Sequence, residues 1–436
     1  MKQTSLPIDT TNLFEVVCHE QTLSRAFQSV KRNKGAAGID NVSVEDFDKI
    51  KTKELAQLKQ ELFNWDYKPM PVRRVEIPKP NNQGVRLLGV PTVRDRVLQT
   101  AIKMVIEPIL DPMFSDSSFG FRPERNQRQA IETAKSIIAS GKEYVVDIDL
   151  SKFFDRINHD RLIALLAKHI DDKRILRLIG LTLRSGVMTD QGFQASTLGS
   201  TQGSPLSPLL SNVILDVLDK KLEQRALSFV RFADDCNIFV ATVKAAERVM
   251  ENITAFIENK MKLVVNNDKS QVAKSNKVKF LGVTIVNGTV AIAKQSMSNA
   301  KEKIKELLPR GTHKTLEQTV QGFNQWFIGW ANYFSVTQYP AQIKAIEARA
   351  RRRLRVRFIA QCKRRKFLFK QLKKRGVRPK TAAKIAFSNK KRWALSRSKA
   401  VENALPNAYF DKAGLATYSN NKLQHWFPVS RWVHLT

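Results

Sequence analysis

The stretch Leu227-Ser-Phe-Val-Arg-Phe-Ala-Asp-Asp-Cys-Asn-Ile-Phe-Val240 holds two adjacent carboxylates, Asp234 and Asp235, between two runs of β-forming residues. Its flanks are rich in Phe, Val and Ile, so the Asp pair falls where one strand turns into the next. Aspartate is also frequent in turns for purely local reasons. Alone, the stretch therefore leaves two interpretations open: a polar hairpin tip and a functional carboxylate pair.

A second acidic strand end lies upstream in the chain. The residues from Tyr144 to Ile148 predict a buried strand that ends in carboxylates and is followed by a helix. Three Asp from two strand ends, without His or Cys, suit a hard divalent cation better than zinc. Mg²⁺ prefers a few carboxylates plus substrate phosphates, and two ions about 3.5–4 Å apart can stabilise both oxygens of a phosphoryl displacement. Acidic helix caps are the alternative explanation for Asp147 and Asp155.

Composition and charge limit the class of partner. The 436 residues suffice for two or three domains, and the hydrophobic content of 42% is that of a globular protein. The formal charge of +34 indicates a polyanionic partner, most simply nucleic acid, with a membrane surface as the competing polyanion. No apolar stretch approaches the roughly 20 residues of a membrane span, and no signal-peptide pattern opens the chain. Three scattered cysteines predict neither disulfides nor a zinc site, and we expect a cytoplasmic protein without membrane partners.

The positive charge is concentrated near the C-terminus. From Ala348 to Val401 there is no Asp or Glu, while Arg and Lys recur throughout. A block of like charge is usually a disordered tail. Here apolar residues such as Leu354, Phe358 and Leu368 are interleaved at helical spacing. The pattern favours a folded nucleic-acid-binding surface over a solvated tail.

Several further segments predict binding loops. Leu13 to Val30 has helical spacing and precedes the basic, glycine-containing loop Lys31 to Asp40, which suits either a phosphate backbone or a plain connector. Lys79 and Arg86 flank a predicted hairpin and could face one triphosphate, or could simply be solvated cations. The loop Phe119 to Arg125 is too rich in Arg, Gly and aromatic residues for a simple turn. Another loop, Leu198 to Pro208, leads into a helix.

Taken together and in order, these motifs resemble the reverse transcriptases encoded by group II introns. The motifs are Ile-Pro-Lys with Arg-x-Leu-Gly-x-Pro-Thr, Ser-x-Gly-Phe-Arg-Pro-x-Arg, Asp149-x-x-x-Phe-Phe-Asp, Thr-Gln-Gly-Ser-Pro-Leu-Ser-Pro, Phe-Ala-Asp-Asp, Asn-x-x-Lys-Ser and Phe-Leu-Gly. The later Gly-Trp-Ala-Asn-Tyr-Phe helix resembles the family's maturase segment. The similarity runs from about Leu13 to Leu415 and is greatest to the compact class C subgroup, which lacks an endonuclease.

The resemblance implies roles for individual residues. Asp149, Asp234 and Asp235 would bind two Mg²⁺ ions, with Mn²⁺ as a substitute. Phe154 would exclude a 2′-hydroxyl, Gln202 would line the incoming nucleotide, and Lys79 and Arg86 would contact its triphosphate. Lys269 would lie near the site and protonate the leaving pyrophosphate. Template or primer contacts are expected from eight cations: Lys31, Arg32, Lys34, Arg122, Arg125, Arg351, Arg352 and Arg353.

Three departures from the family pattern stand out. Phe232 replaces the usual Tyr before Ala-Asp-Asp, Thr201-Gln-Gly-Ser204 replaces Pro-Gln-Gly-Gly, and Leu87 replaces the commoner Pro. None removes a group expected to act in catalysis. They keep open a host-adapted relative rather than the protein of an active intron.

The sequence thus predicts an α+β protein, a right-hand polymerase with fingers and palm, a helical thumb and a small basic helical domain. We expect an N-terminal extension, fingers and palm in 1–290, the thumb in 291–372 and the basic domain in 373–436. The predicted activity is RNA-directed DNA synthesis from an RNA template, a DNA or RNA primer and deoxynucleoside triphosphates, together with binding and splicing of an intron RNA. The alternatives are a binding-only maturase and a domesticated enzyme in defence or repair. Both a monomer and a homodimer are compatible with the sequence.

Overall fold

The computed structural model describes residues 10–78, 84–419 and 422–424. It divides into two compact units, one up to Lys274 and one from Ser275 onward. Both units combine helices with strands, as the predicted α+β class requires. In the described part of the chain, no helix is long and apolar enough to span a membrane.

The first unit contains helices and strands in alternation. Its helices are α1 (Leu13–Cys18), α2 (Glu20–Asn33), α3 (Val44–Asn64), α4 (Val93–Leu110), α5 (Gln127–Ala139), α6 (His159–Leu166), α7 (Lys173–Leu183), α8 (Ser207–Gln224) and α9 (Val243–Phe256). Its strands are β1 (Val72–Pro78), β2 (Val85–Val90), β3 (Tyr144–Ile148), β4 (Val187–Thr189), β5 (Gly192–Gln194), β6 (Ser228–Phe232), β7 (Asp235–Val240) and β8 (Gln271–Lys274).

The N-terminal helical segment is interrupted where the sequence predicts one continuous helix. His19 adopts an extended backbone, and its Nδ1 accepts a hydrogen bond from the backbone of Gln21. The imidazole therefore caps α2 as a new helix rather than continuing α1, because an N-terminal N–H group needs an acceptor. The expectation of a single helix from Leu13 to Val30 is wrong at this residue.

An antiparallel sheet of order β6-β7-β3-β8 forms the centre of the first unit. Most residues of β3 and β7 are buried, which explains why their sequences are mainly apolar rather than alternating. Helices α4, α8 and α9 contribute to the same hydrophobic core, through residues such as Leu98, Leu215 and Ile253.

A second sheet has the strand order β2-β1-β4-β5, and the loop that precedes α8 is hydrogen-bonded to its strand β2. The backbone N–H of Gly89 in β2 donates to the carbonyl oxygen of Gln202 at 2.8 Å. Gly203 has a φ of 114°, and a Cβ there would lie 2.6 Å from the oxygen of Gly89. Glycine is therefore required at position 203 both by its φ and by this close approach.

The second unit is mostly helical. Its helices are α10 (Lys294–Leu307), α11 (Leu316–Tyr333), α12 (Pro340–Gln361), α13 (Arg365–Lys374), α14 (Pro379–Ala386), α15 (Arg392–Leu395), α16 (Lys399–Ala404) and α17 (Asn407–Lys412). Its strands are β9 (Val283–Val286), β10 (Thr289–Ile292), β11 (Thr417–Ser419) and β12 (Lys422–Gln424). The acid-free region is folded, because Leu368, Leu372 and Val401 share a buried cluster.

Candidate active site

The two acidic strand ends lie at one edge of the β6-β7-β3-β8 sheet. Asp149 directly follows β3, whose last residue, Ile148, pairs with Cys236 of β7. Asp235 begins β7, and Asp234 lies in the two-residue turn that joins β6 to β7. Because β3 and β7 are antiparallel neighbours, the end of β3 meets the start of β7. Asp149, Asp234 and Asp235 therefore share this edge.

Asp149 is held by the segment that precedes β8. The side-chain amide of Asn266 donates to Asp149 Oδ2 at 2.9 Å, and Lys269 Nζ lies 3.9 Å from the same oxygen. The backbone of Asp149 is fixed as well, since its N–H donates to Ser270 Oγ and its carbonyl accepts from Asn266 N. The Asn-x-x-Lys-Ser motif thus holds Asp149 in place, and the catalytic role of Lys269 beside it stays a prediction.

The second carboxylate, Asp234, is partly buried beside the first. Burial raises the pKa of Asp234, and the negative charge of Asp149 raises it further. A hydrogen bond to its own backbone and the positive charges of Arg86 and Arg231 lower the pKa in turn. Arg86 of β2 therefore acts electrostatically at the predicted site, whereas its expected companion Lys79 lies outside the described residues.

The donor atoms at this edge suit a hard divalent cation. Within residues 10–78, 84–419 and 422–424, no three His, Cys, Asp or Glu side chains form a group that could hold a metal ion. Mg²⁺ does not need one, because it takes one or two carboxylates and completes its shell with substrate phosphates and water. Asp149 and the partly buried Asp234 fit that requirement, and a cation would also relieve their mutual repulsion. The full three-carboxylate assignment, with the exposed Asp235, stays a prediction.

A fully buried ion pair supports the turn that carries Asp234. Arg231 of β6 and Asp219 of α8 have side chains with 0% exposure, and Arg231 Nη2 lies 2.6 Å from Asp219 Oδ2. The same guanidinium donates to the carbonyl oxygen of Ala233 at 2.9 Å. Ala233 has a left-handed φ of 58°, a conformation that costs a non-glycine residue about 1–2 kcal/mol. The bond from Arg231 thus stabilises an unfavourable turn beside the carboxylate.

Gly120 packs against this turn from the loop between α4 and α5. A Cβ at Gly120 would lie 2.1 Å from the backbone nitrogen of Ala233. Asn212 of α8 donates to the carbonyl oxygen of Gly120 at 2.9 Å and accepts from Arg231. Sequence reasoning missed this support. The signal available to it was an arginine inside an otherwise apolar strand, next to the Asp pair.

The two arginines of the Phe119 to Arg125 loop have different surroundings. Arg122 has a side chain with 4% exposure and pairs with Asp111 at 2.7 Å. It also donates to the carbonyl oxygens of Ser115 and Ser118. Arg125 is more exposed and pairs with Asp116 at 2.7 Å. Arg122 therefore stabilises the loop itself, and contact of either residue with nucleic acid stays a prediction.

The two predicted nucleotide-pocket residues line one groove. Phe154 and Gln202 both border a cavity of about 340 Å³, together with Leu88, Ser200 and Thr201. The carbonyl oxygen of Phe154 accepts from the backbone N–H of Ser200 at 2.7 Å, which ties the two loops together. The structure thus brings Phe154 and Gln202 to one groove, and their contact with a nucleotide stays a prediction.

The segment predicted as a loop, Lys31 to Asp40, begins inside a helix, because α2 continues to Asn33. The remaining loop is held by the chain's own arginines. Arg96 and Arg73 donate to the carbonyl oxygens of Ala36 and Ala37 at 2.8 and 2.7 Å. Lys31 pairs with Asp48 at 2.6 Å. The other two predicted template contacts, Arg32 and Lys34, are exposed. The loop is therefore fixed by its carbonyl groups, while Arg32 in the last turn of α2 and Lys34 at its C-terminal end lie at the surface.

The arginines predicted as nucleic-acid contacts on α12 serve different purposes. Arg351 forms an ion pair with Glu347 one turn earlier. Arg353 is buried and donates to the carbonyl oxygens of Leu308 and Lys305 at 2.8 and 3.2 Å. Arg352 lies over Trp393. At least Arg353 therefore has a structural role within the second unit.

Comparisons with known proteins identify the family of the region that contains these carboxylates. The family model described as reverse transcriptase (RNA-dependent DNA polymerase) matches residues 77–285, which include all three carboxylates. The model of the group II intron maturase-specific domain matches residues 297–376. The fold, the carboxylate edge and the first match define a reverse transcriptase. With the second match, the chain belongs to the group II intron-encoded reverse transcriptases and maturases.

Two known proteins are similar to this chain over more than half of its length. Protein YkfC of Escherichia coli (strain K12) is 32% identical over 304 residues, which cover 61% of this chain and 80% of that protein. Group II intron-encoded protein LtrA of Lactococcus lactis subsp. cremoris is 29% identical over 345 residues, 63% of this chain and 56% of LtrA. The chain thus spans little more than half of LtrA. Among solved structures, apo telomerase from Candida tropicalis is similar with a TM-score of 0.45 and 14% identity, covering 79% of this chain and 67% of that one.

Proposed function

We propose that this protein copies RNA into DNA at the sheet edge that carries Asp149, Asp234 and Asp235. The observation that carries the proposal is the meeting of Asp149 with the Asp234 turn, inside the region that matches reverse transcriptases. Two Mg²⁺ ions, or Mn²⁺ in their place, would stabilise the attacking and leaving oxygens of nucleotidyl transfer when bound. The protein's part is to hold the carboxylates in place and to position the nucleotide.

The surrounding residues support a division of tasks. Asn266 and Ser270 fix the orientation of Asp149, so that its other carboxylate oxygen can face a cation. Lys269, close to that carboxylate, is suited to protonate the leaving pyrophosphate. Arg86 supplies positive charge for the triphosphate, with Lys79 as its proposed companion. Phe154 would lie under the sugar and exclude a 2′-hydroxyl, while Gln202 would line the nucleotide.

The proposed partners follow from the two family matches. RNA is the template, a DNA or RNA strand is the primer and deoxynucleoside triphosphates are the substrates. The match of 297–376 to the maturase-specific domain also favours binding of an intron RNA and help in its splicing. We keep the division into 1–290, 291–372 and 373–436, and a cytoplasmic location, as part of the proposal.

Two neighbouring carboxylates at the end of β3, Asp147 and Asp149, give a sharp test of the metal site. Asp149→Asn removes a charge at the proposed site, so that RNA-templated extension should fall at least 1,000-fold, on the order of the loss expected from a missing catalytic group. Asp147→Asn is the matched control, because Asp147 accepts from Asn237 and Gln271 instead and should remain active. Extension would be measured across Mg²⁺ and Mn²⁺ concentrations. Equal activity of the two variants would contradict the assignment of Asp149.

A protein that only binds RNA is the second candidate, favoured by the high positive charge and the maturase match. The same experiment separates the two. A parent protein that binds RNA tightly but does not extend a primer at any metal concentration would support the binding-only function.

A further inference from the structure

The loop that carries Gln202 is held at its backbone by two neighbouring segments, both of which line the same groove. The backbone N–H of Ser200 donates to the carbonyl oxygen of Phe154 at 2.7 Å. Two residues later, the carbonyl oxygen of Gln202 accepts from the backbone N–H of Gly89 in β2 at 2.8 Å. The loop therefore connects the segment of Phe154 with strand β2, and its conformation decides where the side chain of Gln202 lies.

A buried hydroxyl group ties the same loop to helix α4. Ser204 Oγ donates to the side-chain oxygen Oε1 of Gln99 at 2.8 Å and accepts from the backbone N–H of Leu206 at 3.3 Å. Ser204 is 9% exposed and Gln99 is 4% exposed. The bond between them is thus shielded from water, which strengthens it and makes the loss of either partner costly.

Two further hydroxyl groups hold the start of the loop. Ser200 Oγ donates to Ser207 Oγ at 2.7 Å, and Ser207 Oγ donates to the carbonyl oxygen of Thr201 at 2.8 Å. These bonds join the loop to the first residue of α8. The hydroxyl group of Ser204 instead reaches α4, a helix whose residue Leu98 is fully buried in the core. The loop is therefore anchored to two different helices.

The anchor to α4 depends on a position at which this chain departs from the family pattern. Where that pattern has Pro-Gln-Gly-Gly, this chain has Thr201-Gln-Gly-Ser204. A glycine at position 204 has no hydroxyl group and could not donate to Gln99. A proline at position 201 would fix its own φ, whereas threonine lacks this restriction. In this chain, side-chain hydrogen bonds restrict the loop instead.

We propose that Ser204 and Gln99 are positioning residues, whose hydrogen bond holds Gln202 in place for the incoming nucleotide. Gly203, the residue between Gln202 and Ser204, lies so close to the carbonyl oxygen of Gly89 that a Cβ would not fit. This packing leaves Gly203 little room to absorb a shift, so a displacement of Ser204 also moves Gln202. The inference rests on the proposed function, which assigns Gln202 to the nucleotide, and adds two residues that act through it.

The test measures kcat and KM for a deoxynucleotide in RNA-templated primer extension by the full chain. Ser204→Ala removes the hydroxyl group and should raise KM about tenfold, as expected for a lost buried hydrogen bond. The value of kcat should change less than about twofold, because a contact made equally before and during the reaction affects binding alone. Gln99→Met removes the acceptor and should have the same effect. The double variant should resemble either single variant, since all three lack the same bond.

A merely structural role of Ser204 would change a different quantity. Partial unfolding lowers the concentration of active enzyme and hence the apparent kcat, but it leaves the KM of the folded molecules unchanged. Ser211→Ala is the matched control, because Ser211 is also buried and its hydroxyl group donates to the carbonyl oxygen of Pro208 within α8. This control should keep the KM of the parent.

Gln202→Ala separates the inference from the proposed function. If Ser204 acts through Gln202, Ser204→Ala should add little to the KM of the Gln202→Ala variant, and an equal increase in both backgrounds would contradict the inference. If Gln202→Ala raises KM while Ser204→Ala and Gln99→Met match Ser211→Ala, the inference is overturned and the proposed contact of Gln202 stands. If Gln202→Ala leaves KM unchanged, the proposed contact is itself wrong, and the inference fails with it.

Discussion

Phe154 is the residue on which the choice between ribose and deoxyribose should depend. Its ring packs on Phe153 at 5.2 Å, and its backbone is fixed to Ser200, so that the ring has a defined place in the groove. Phe154→Ala keeps the backbone bond but removes the bulk. We expect the preference for deoxynucleotides over ribonucleotides to fall about 10- to 100-fold, the range of discrimination available to steric contacts.

The measurement is kcat/KM for a deoxynucleotide and for the matching ribonucleotide, in parent and variant. The value for the deoxynucleotide should change little, because the groove retains Gln202. An unchanged ratio in Phe154→Ala would mean that the ring does not face the sugar.

Asp216 provides a prediction on pH and stability. Burial and the nearby Asp219 raise the pKa of Asp216 to about 6, against the pull of Lys220. The folded protein therefore keeps this proton up to about pH 6, whereas the unfolded chain releases it near pH 4. The free energy of unfolding thus falls as the pH rises from about 4 through 6. Above that pH the buried charge destabilises the fold. Asp216→Asn should thus be about 1–3 kcal/mol more stable than the parent at pH 8 and nearly equal at pH 4.

Urea unfolding at the two pH values tests this expectation. Equal stability differences at pH 4 and pH 8 would show that the carboxyl group of Asp216 is not perturbed in the folded protein.

At the scale of elements, helix α8 connects the core to the turn that bears Asp234. One face of α8 carries Asp219, which pairs with Arg231 inside the core. Asp219→Asn breaks a buried pair and should cost about 3–5 kcal/mol of stability. It should also lower kcat for extension more than it changes KM for the nucleotide, because the Ala233–Asp234 turn loses its anchor while the nucleotide groove is untouched.

Asp216→Asn is the matched control on the same helix, one turn earlier. It should be more stable than the parent at neutral pH and have the same kcat. Asp219→Asn, in contrast, should be less stable and have a lower kcat. A variant at Asp219 that folds and extends primers like the parent would show that Arg231 does not support the turn.

The elements that sequence reasoning identified are those with local signals. The β6–β7 hairpin follows from apolar runs around Asp234, and β3 from the run that ends before Asp149, so the meeting of the two acidic ends could be expected. The pairing of Arg231 with Asp219 could not, because it joins a strand to a helix through tertiary packing. The break at His19 was missed because apolar spacing continues across it, although the His19 side chain caps the start of a new helix there.

For the whole molecule, net charge alone overstates the surface available to RNA. Of the arginines on α12, Arg353, Arg355 and Arg357 are buried and donate to carbonyl or side-chain oxygens of the same unit. A segment without Asp or Glu suggests that every Arg and Lys in it faces a phosphate group. Here backbone carbonyl groups accept hydrogen bonds from these arginines instead, and the net charge of the sequence does not reveal this pairing.

The most direct test of the central claim is primer extension on an RNA template with Mg²⁺ and deoxynucleotides, for the parent beside Asp234→Asn. The substitution keeps the size of the side chain and its place in the turn but removes the charge beside Asp149. We predict complementary DNA from the parent and none from the variant, with RNA binding equal in both. Product from Asp234→Asn at the parent's rate would contradict the assignment of this sheet edge as the centre of DNA synthesis.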